Sequence, residues 1–217
     1  AMETLPPSAS PAPDPANPAL LAWADGQDPS STKHAVRGAP ACQYAIHVGG
    51  PAATPAPPVA IFDDETPFGT GPASLAFSSD GSKLLVVADQ APDNGIYVLP
   101  SSTTIAPAAK KVTEVIAEPP GWTFGQARFA GSRIIFDAHG SGHSTPGTSD
   151  IYSISASCDS GTCAFPADAT NLTAKAKADN IDPVWTSALA PLVALGHPLV
   201  AGAPPVLDAA MILTRTV

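Results

Sequence analysis

The chain is poor in charge. Only 13% of its residues are Asp, Glu, Lys or Arg, and Lys plus Arg number just 10 against 19 acids. The net charge of −9 turns most of the surface against a phosphate backbone or an anionic bilayer, which argues against nucleic acid as a partner. Long apolar runs are missing too. The most apolar stretch, 188–213, is broken by Pro191, His197, Pro198, Pro204, Pro205 and Asp208, well short of the ~18 uninterrupted residues a spanning helix needs. It reads as short buried strands. No glycine-rich phosphate loop opens a helix, and no Gly-x-Ser-x-Gly sits between a strand and a helix. "HGSGHS" (139–144) matches a nucleophile elbow only superficially, so direct enzymatic activity is not the expectation.

Breakers of regular structure are abundant. Pro numbers 26 and Gly 17 in 217 residues, which opposes a helical protein and favours short strands with many turns. The N-terminal "ETLPPSASPAPDPANP" is Pro/Ala/Ser-rich and extended. Residues 1–18 are therefore expected to form a tether, and 19–217 a β domain. Such tethers follow secretory or lipoprotein signals, and Ala1-Met2 stands where an export signal would be removed.

Three cysteines are present. Cys158 and Cys163 flank Asp-Ser-Gly-Thr in "SCDSGTC", a turn whose ends can close as a local disulfide. A metal half-site at this spacing would need two further ligands, and Cys42 is distant. The disulfide reading favours an oxidising compartment, periplasmic or extracellular. Cys42 reads as a small buried hydrophobe.

The chain also repeats itself. "LAW" ends at Trp23, "LAF" at Phe77, "ARF" at Phe129 and "PVW" at Trp185, at steps of 52 to 56 residues. "SSDGSKLLVVAD" and "AGSRIIFDAHG" follow the second and third aromatics, each a turn, a cation and an apolar strand. "NGIYVLPSS" (94–102) and "SDIYSISAS" (149–157) then place Ile-Tyr alike, with "CQYAIHVGG" (42–50) in that slot of the first copy. "VAIFDD", "KKVTEVIAE" and "NLTAKAKAD" close the units. Four strands over about 53 residues, repeated, signal propellers or arrays, with a β-sandwich of chance similarity as the rival reading. Alternation within the strands predicts one buried and one wet face per sheet. Asp80-Gly81 is the hairpin turn. The aromatics are expected to pack between neighbouring sheets.

On these residues the chain resembles the TolB-type, WD40-like β-propeller repeat. Asp80, Gly81 and Lys83 match its turn, Ile96-Tyr97 and Ile151-Tyr152 its central strand, and Leu172-Thr173 its closing strand. Asp182, Pro183 and Trp185 match the lead into the next blade. The resemblance spans roughly 70–187. It implies an all-β propeller of about four four-stranded antiparallel blades, and a protein-binding scaffold at the cell envelope. The turn departs from the pattern as "SSDG" and "AGSR", and is lost after Trp185. A carbohydrate- or peptide-binding propeller is the second functional reading. A metal-dependent hydrolase or lyase is the third.

Candidate site residues are few. Asp137, His139 and His143 lie within seven positions in "FDAHGSGHSTPGTSD", and Asp150 ends that loop. Imidazole and carboxylate suit zinc or nickel, but the loop joins two strands of one blade, where length varies freely. An unliganded solvent loop is the preferred reading, with no cofactor. "FDDETP" gathers Asp63, Asp64 and Glu65 without the alternating spacing of a calcium loop, and reads as a solvated turn. "NLT" (171–173) fits a glycosylation sequon, but is read as the Leu-Thr closing strand. Trp122, in "EPPGWTFG", is expected in a loop and is the candidate exposed aromatic for ligand binding.

Overall fold

A computed structural model describes residues 11–26, 42–50, 59–64, 73–88, 94–102, 112–140, 149–174, 178–185, 192–198 and 210–213. Among these residues the regular elements are all strands: β1 (Ala12–Pro13), β2 (Leu21–Gly26), β3 (Cys42–Gly49), β4 (Ala60–Asp64), β5 (Ser74–Phe77), β6 (Lys83–Ala88), β7 (Gly95–Pro100), β8 (Thr113–Ala117), β9 (Trp122–Ala130), β10 (Arg133–Gly140), β11 (Ser149–Ser155), β12 (Thr170–Asn171), β13 (Ala178–Trp185), β14 (Leu192–Pro198) and β15 (Ala210–Leu213). They form four sheets in chain order: β1-β2-β3-β4, β5-β6-β7-β8, β9-β10-β11-β12 and β13-β14-β15. Every strand pair with a resolved register is antiparallel and joins consecutive strands. The chain divides into two compact units, Ala1–Thr113 and Glu114–Val217.

The repeat places three of the four aromatics alike. Phe77 ends β5 opposite Leu84, Trp185 ends β13 opposite Leu192, and Phe129 lies one residue from the end of β9 opposite Ile134. Each marks the hairpin end of the first strand of its sheet. Trp23 departs from the scheme. It lies on β2, the second strand of its sheet, opposite His47. The first-strand position belongs to Ala12-Pro13, inside the segment expected to be a tether. That segment is integrated from residue 11. Asp14 N donates to Leu20 O (3.0 Å), the Asp14 carboxylate accepts from Ala16 N (2.8 Å), and the Asp14 side chain is buried. Backbone pairing to β2 supplies what the weak apolar content of the segment could not predict.

In the first unit, the first two sheets share a core. Ala22, Ala24, Ile46, Val48 and Ala60 of one sheet meet Leu75, Phe77, Leu84, Val86 and Leu99 of the other. Alanines on the first sheet leave room for the larger side chains of the second, so a pattern rich in Ala still packs tightly. The expectation of a wet face on every sheet is corrected on the central strands. Leu84–Ala88 of β6 and Ile134–Ala138 of β10 are buried at every position, so both faces of these strands are covered. Strands covered on both sides read as continuous apolar runs.

The Asp80-Gly81 hairpin forms as read. Gly81 adopts φ 69°, a conformation that L side chains rarely take. The Asp80 carboxylate accepts from Ser78 Oγ (2.6 Å), Ser82 N (3.0 Å) and Ser82 Oγ (2.8 Å). A Cβ at Gly81 would also collide with the Asp14 carboxylate, so the turn needs glycine for space as well as for φ.

Candidate functional site

The richest constellation lies in the second unit, on the sheet β9-β10-β11-β12. β9 presents Trp122 and Phe124, β10 presents Phe136 and β11 presents Tyr152, which stands directly opposite Phe136 in register. Between β11 and β12 the chain makes a long excursion, which carries Phe165 back onto these rings. Ring centroids lie 4.8 Å from Phe165 to Trp122, 4.9 Å to Tyr152, 5.1 Å to Phe124 and 5.7 Å to Phe136. The first three contacts are edge-to-face, the geometry that ring quadrupoles favour. Phe165 is therefore the hub of a five-ring cluster. It is buried, and its next neighbour Pro166 is exposed.

The excursion is closed by the expected cysteine pair. Cys158 and Cys163 stand at disulfide distance with Cα atoms 5.6 Å apart. Asp159 shapes the turn between them. Its carbonyl accepts from Thr162 N (2.9 Å) and Cys163 N (2.8 Å), and its carboxylate from Gly161 N (3.1 Å). Ser160 N reaches outside the loop to Glu114 O at 2.8 Å.

Trp122 is thus not the exposed loop aromatic that its "PPGW" context suggests. It opens β9, is half-buried, and packs edge-on to Tyr152 and Phe165. The strand begins earlier than proline-based reading predicts, because Trp122 pairs with Gly140 across the hairpin.

A buried polar network adjoins the rings. Asp150 accepts from Thr173 Oγ1 (2.8 Å) and Asn171 Nδ2 (2.7 Å), and Thr173 Oγ1 in turn accepts from Ile151 N (2.9 Å). Leu172 N bonds Ile151 O (2.8 Å). The Leu-Thr closing motif is therefore a clasp on the Ile-Tyr strand. Asn171, which the sequon pattern would offer to a glycan, has its amide engaged with Asp150 and its Oδ1 with Thr173 N. Tyr152 is held above the usual phenol range, first by burial and then by the Asp150 charge, with a hydrogen bond to Asn171 partly opposing them.

The metal candidates do not converge among the described residues. Asp137 lies at a β-bulge, where the β9–β10 register shifts between Phe136 and Ala138. Its Oδ1 accepts from Gln126 N at 2.7 Å, so the carboxylate fills the gap that the bulge opens in the ladder. His139, two residues on, is exposed, and His143 falls outside the described residues. Asp150, at the far end of that loop, belongs to the clasp on Thr173. No group of three His, Cys, Asp or Glu side chains among the described residues is placed to hold a metal. Asp63 and Asp64 end β4, and Glu65 falls outside the described residues. Cys42 opens β3.

Sequence reasoning missed Phe165 and Asp14. Phe165 lies in a Pro/Asp/Ala loop with no periodicity to announce it. Asp14 lies in a segment whose composition reads as unstructured. The signal for the Asp150–Thr173 clasp was present in the paired Ile-Tyr and Leu-Thr motifs, but only as pattern.

No family model matches the chain, and no curated protein matches it. Among solved structures it is similar to a chain from a structural and mechanistic study of two prolyl endopeptidases, concerned with inter-domain dynamics in catalysis and specificity. The TM-score is 0.51 at 13% identity, over 87% of this chain. The chain spans only 25% of that protein's length. That protein has a β-propeller domain, and the likeness is one of fold. No helix among the described residues is long and apolar enough to cross a membrane.

Proposed function

We propose that this chain forms four blades of a TolB-like, WD40-like β-propeller and serves as a protein-binding scaffold outside the cytoplasm. The observation that carries the reading is the run of consecutive antiparallel sheets in chain order, three of them with the aromatic at the same hairpin end. The propeller-bearing neighbour is consistent with this architecture, and the Cys158–Cys163 pair with an oxidising compartment. Propellers bind partners through loops converging on a rigid face.

A second reading is a propeller that recognises peptides. The similar structure comes from a study of prolyl endopeptidases, and the loops around the largely buried five-ring cluster are where such recognition would be sought. Affinity capture from an envelope extract with the full chain, followed by cross-linking, tests the scaffold reading. A stoichiometric protein cross-linked to loop residues is the expected result. Capture of no protein together with retention of defined peptides would replace the first reading with the second.

A further inference from the structure

We propose that the Cys158–Cys163 loop is a thiol-operated latch that keeps Phe165 in a pocket for aromatic side chains. The proposal does not depend on the scaffold reading. It rests on how the excursion between β11 and β12 is held. This excursion separates Ser155 from Thr170, so it is a long connection for neighbouring antiparallel strands. Its hydrogen bonds run mainly between near neighbours: Thr162 N and Cys163 N to Asp159 O, Asp168 N to Ala164 O, and Ala164 N to the Asp168 carboxylate. Such bonds shape the loop; among the described residues its backbone ties to other elements are Ala156 N to Ser132 O (2.9 Å) at its start and Ser160 N to Glu114 O of β8 (2.8 Å) at the bridge. Ordering so many residues costs conformational entropy that no strand ladder offsets. Besides the Ser160–Glu114 bond, two features oppose that cost: the cysteine bridge, and the insertion of Phe165 among Trp122, Phe124, Phe136 and Tyr152. Only Ala164 lies between Cys163 and Phe165, so the bridge acts directly on the anchor.

The bridge is reachable. Cys163 is half-buried and residues 159–162 are exposed. The reductant is a dithiol. Its first thiolate bonds to the Cys163 sulfur, and the sulfur–sulfur electron pair leaves on Cys158, which takes up a proton. The second thiol of the reagent then closes on the first, releasing Cys163 as a thiol and leaving the reagent as a cyclic disulfide. The opened loop regains its freedom, Phe165 withdraws, and four rings are left to receive an aromatic side chain from another chain. A short peptide bearing Phe is the ligand class, since the Phe165 ring is what the pocket already holds, with Pro166 exposed beside it.

Hydrogen exchange on the full chain, with and without dithiothreitol, tests this. The probe ligand is the peptide Ala-Phe-Pro-Ala-Asp. With both thiols verified by mass spectrometry, exchange at 164–169 should rise at least tenfold, residues 133–138 should stay protected, and the peptide should bind the reduced chain alone. The double variant Cys158→Ser/Cys163→Ser should behave likewise without reductant. Phe165→Ala should bind the peptide even when oxidised. Unchanged exchange at 164–169 would overturn the latch. So would loss of protection throughout 133–138, which would make the bridge a staple for the whole sheet. Equal or absent peptide binding in the two redox states would overturn the pocket. Should Phe165→Ala fail to fold, the double cysteine variant decides.

Discussion

Asp80 shows how one exposed carboxylate can set a turn. Hydrogen bonds from Ser78 Oγ, then Ser82 N and Ser82 Oγ, stabilise its charged form and lower its pKa to about 2. A carboxylate whose folded pKa lies below its unfolded value stabilises the fold above the unfolded pKa and ceases to do so as pH falls through the folded one. The turn's contribution should therefore be complete above about pH 4 and vanish toward pH 2. Carboxyl NMR titration should place the Asp80 midpoint near 2. In Asp80→Asn, the amide protons of Ser82 and Lys83 should exchange faster at neutral pH. Gly125 makes a second case at this scale. A Cβ there would collide with the buried carboxylate of Asp137, which Gln126 N holds in place. Gly125→Ala should cost about 1–3 kcal/mol, through loss of that bond and burial of an unsatisfied group, measured as a lower urea midpoint with unchanged slope. Both were visible in the sequence only as turn and strand letters, because a bulge and its carboxylate plug depend on register, which single residues do not announce.

Among the elements, β1 is the most instructive. Composition marks "PAPDPANP" as unable to pack, yet Ala12 packs against the core of the first unit. Two residues nevertheless pair with β2, and Asp14 is buried behind them. Removal of residues 1–18 should lower stability by about 1–3 kcal/mol by chemical denaturation, rather than leave it unchanged as a tether would. The loss should concentrate in amide exchange of Ala22 and Ala24, whose side chains lie in the shared core of the first unit. The hairpins, by contrast, were legible. Asp-Gly between alternating apolar runs specified β5–β6, and Ile-Tyr located β7 and β11. The faces of β6 and β10 were misread because alternation cannot distinguish a strand with one wet side from a strand covered on both. The first copy was misaligned for a related reason. With no turn signature before Trp23, the aromatic was matched by letter, and its strand is the second of its sheet rather than the first.

At the level of the whole chain, the all-β class and the consecutive antiparallel sheets were written in the 52–56 residue step, and a solved propeller-bearing protein shares that arrangement over most of the chain. The candidate site was far less legible. Trp122 was found but placed in a loop, the cysteine pair was found, and Phe165, which links them, was not. A site assembled by an irregular excursion leaves no period to detect. One feature of the topology reaches beyond the folded state. Since each sheet pairs only neighbouring strands among the described residues, none of these sheets waits for a partner strand from far downstream. A ribosome therefore releases these sheets in order, each able to close its hairpins while the next is still being translated.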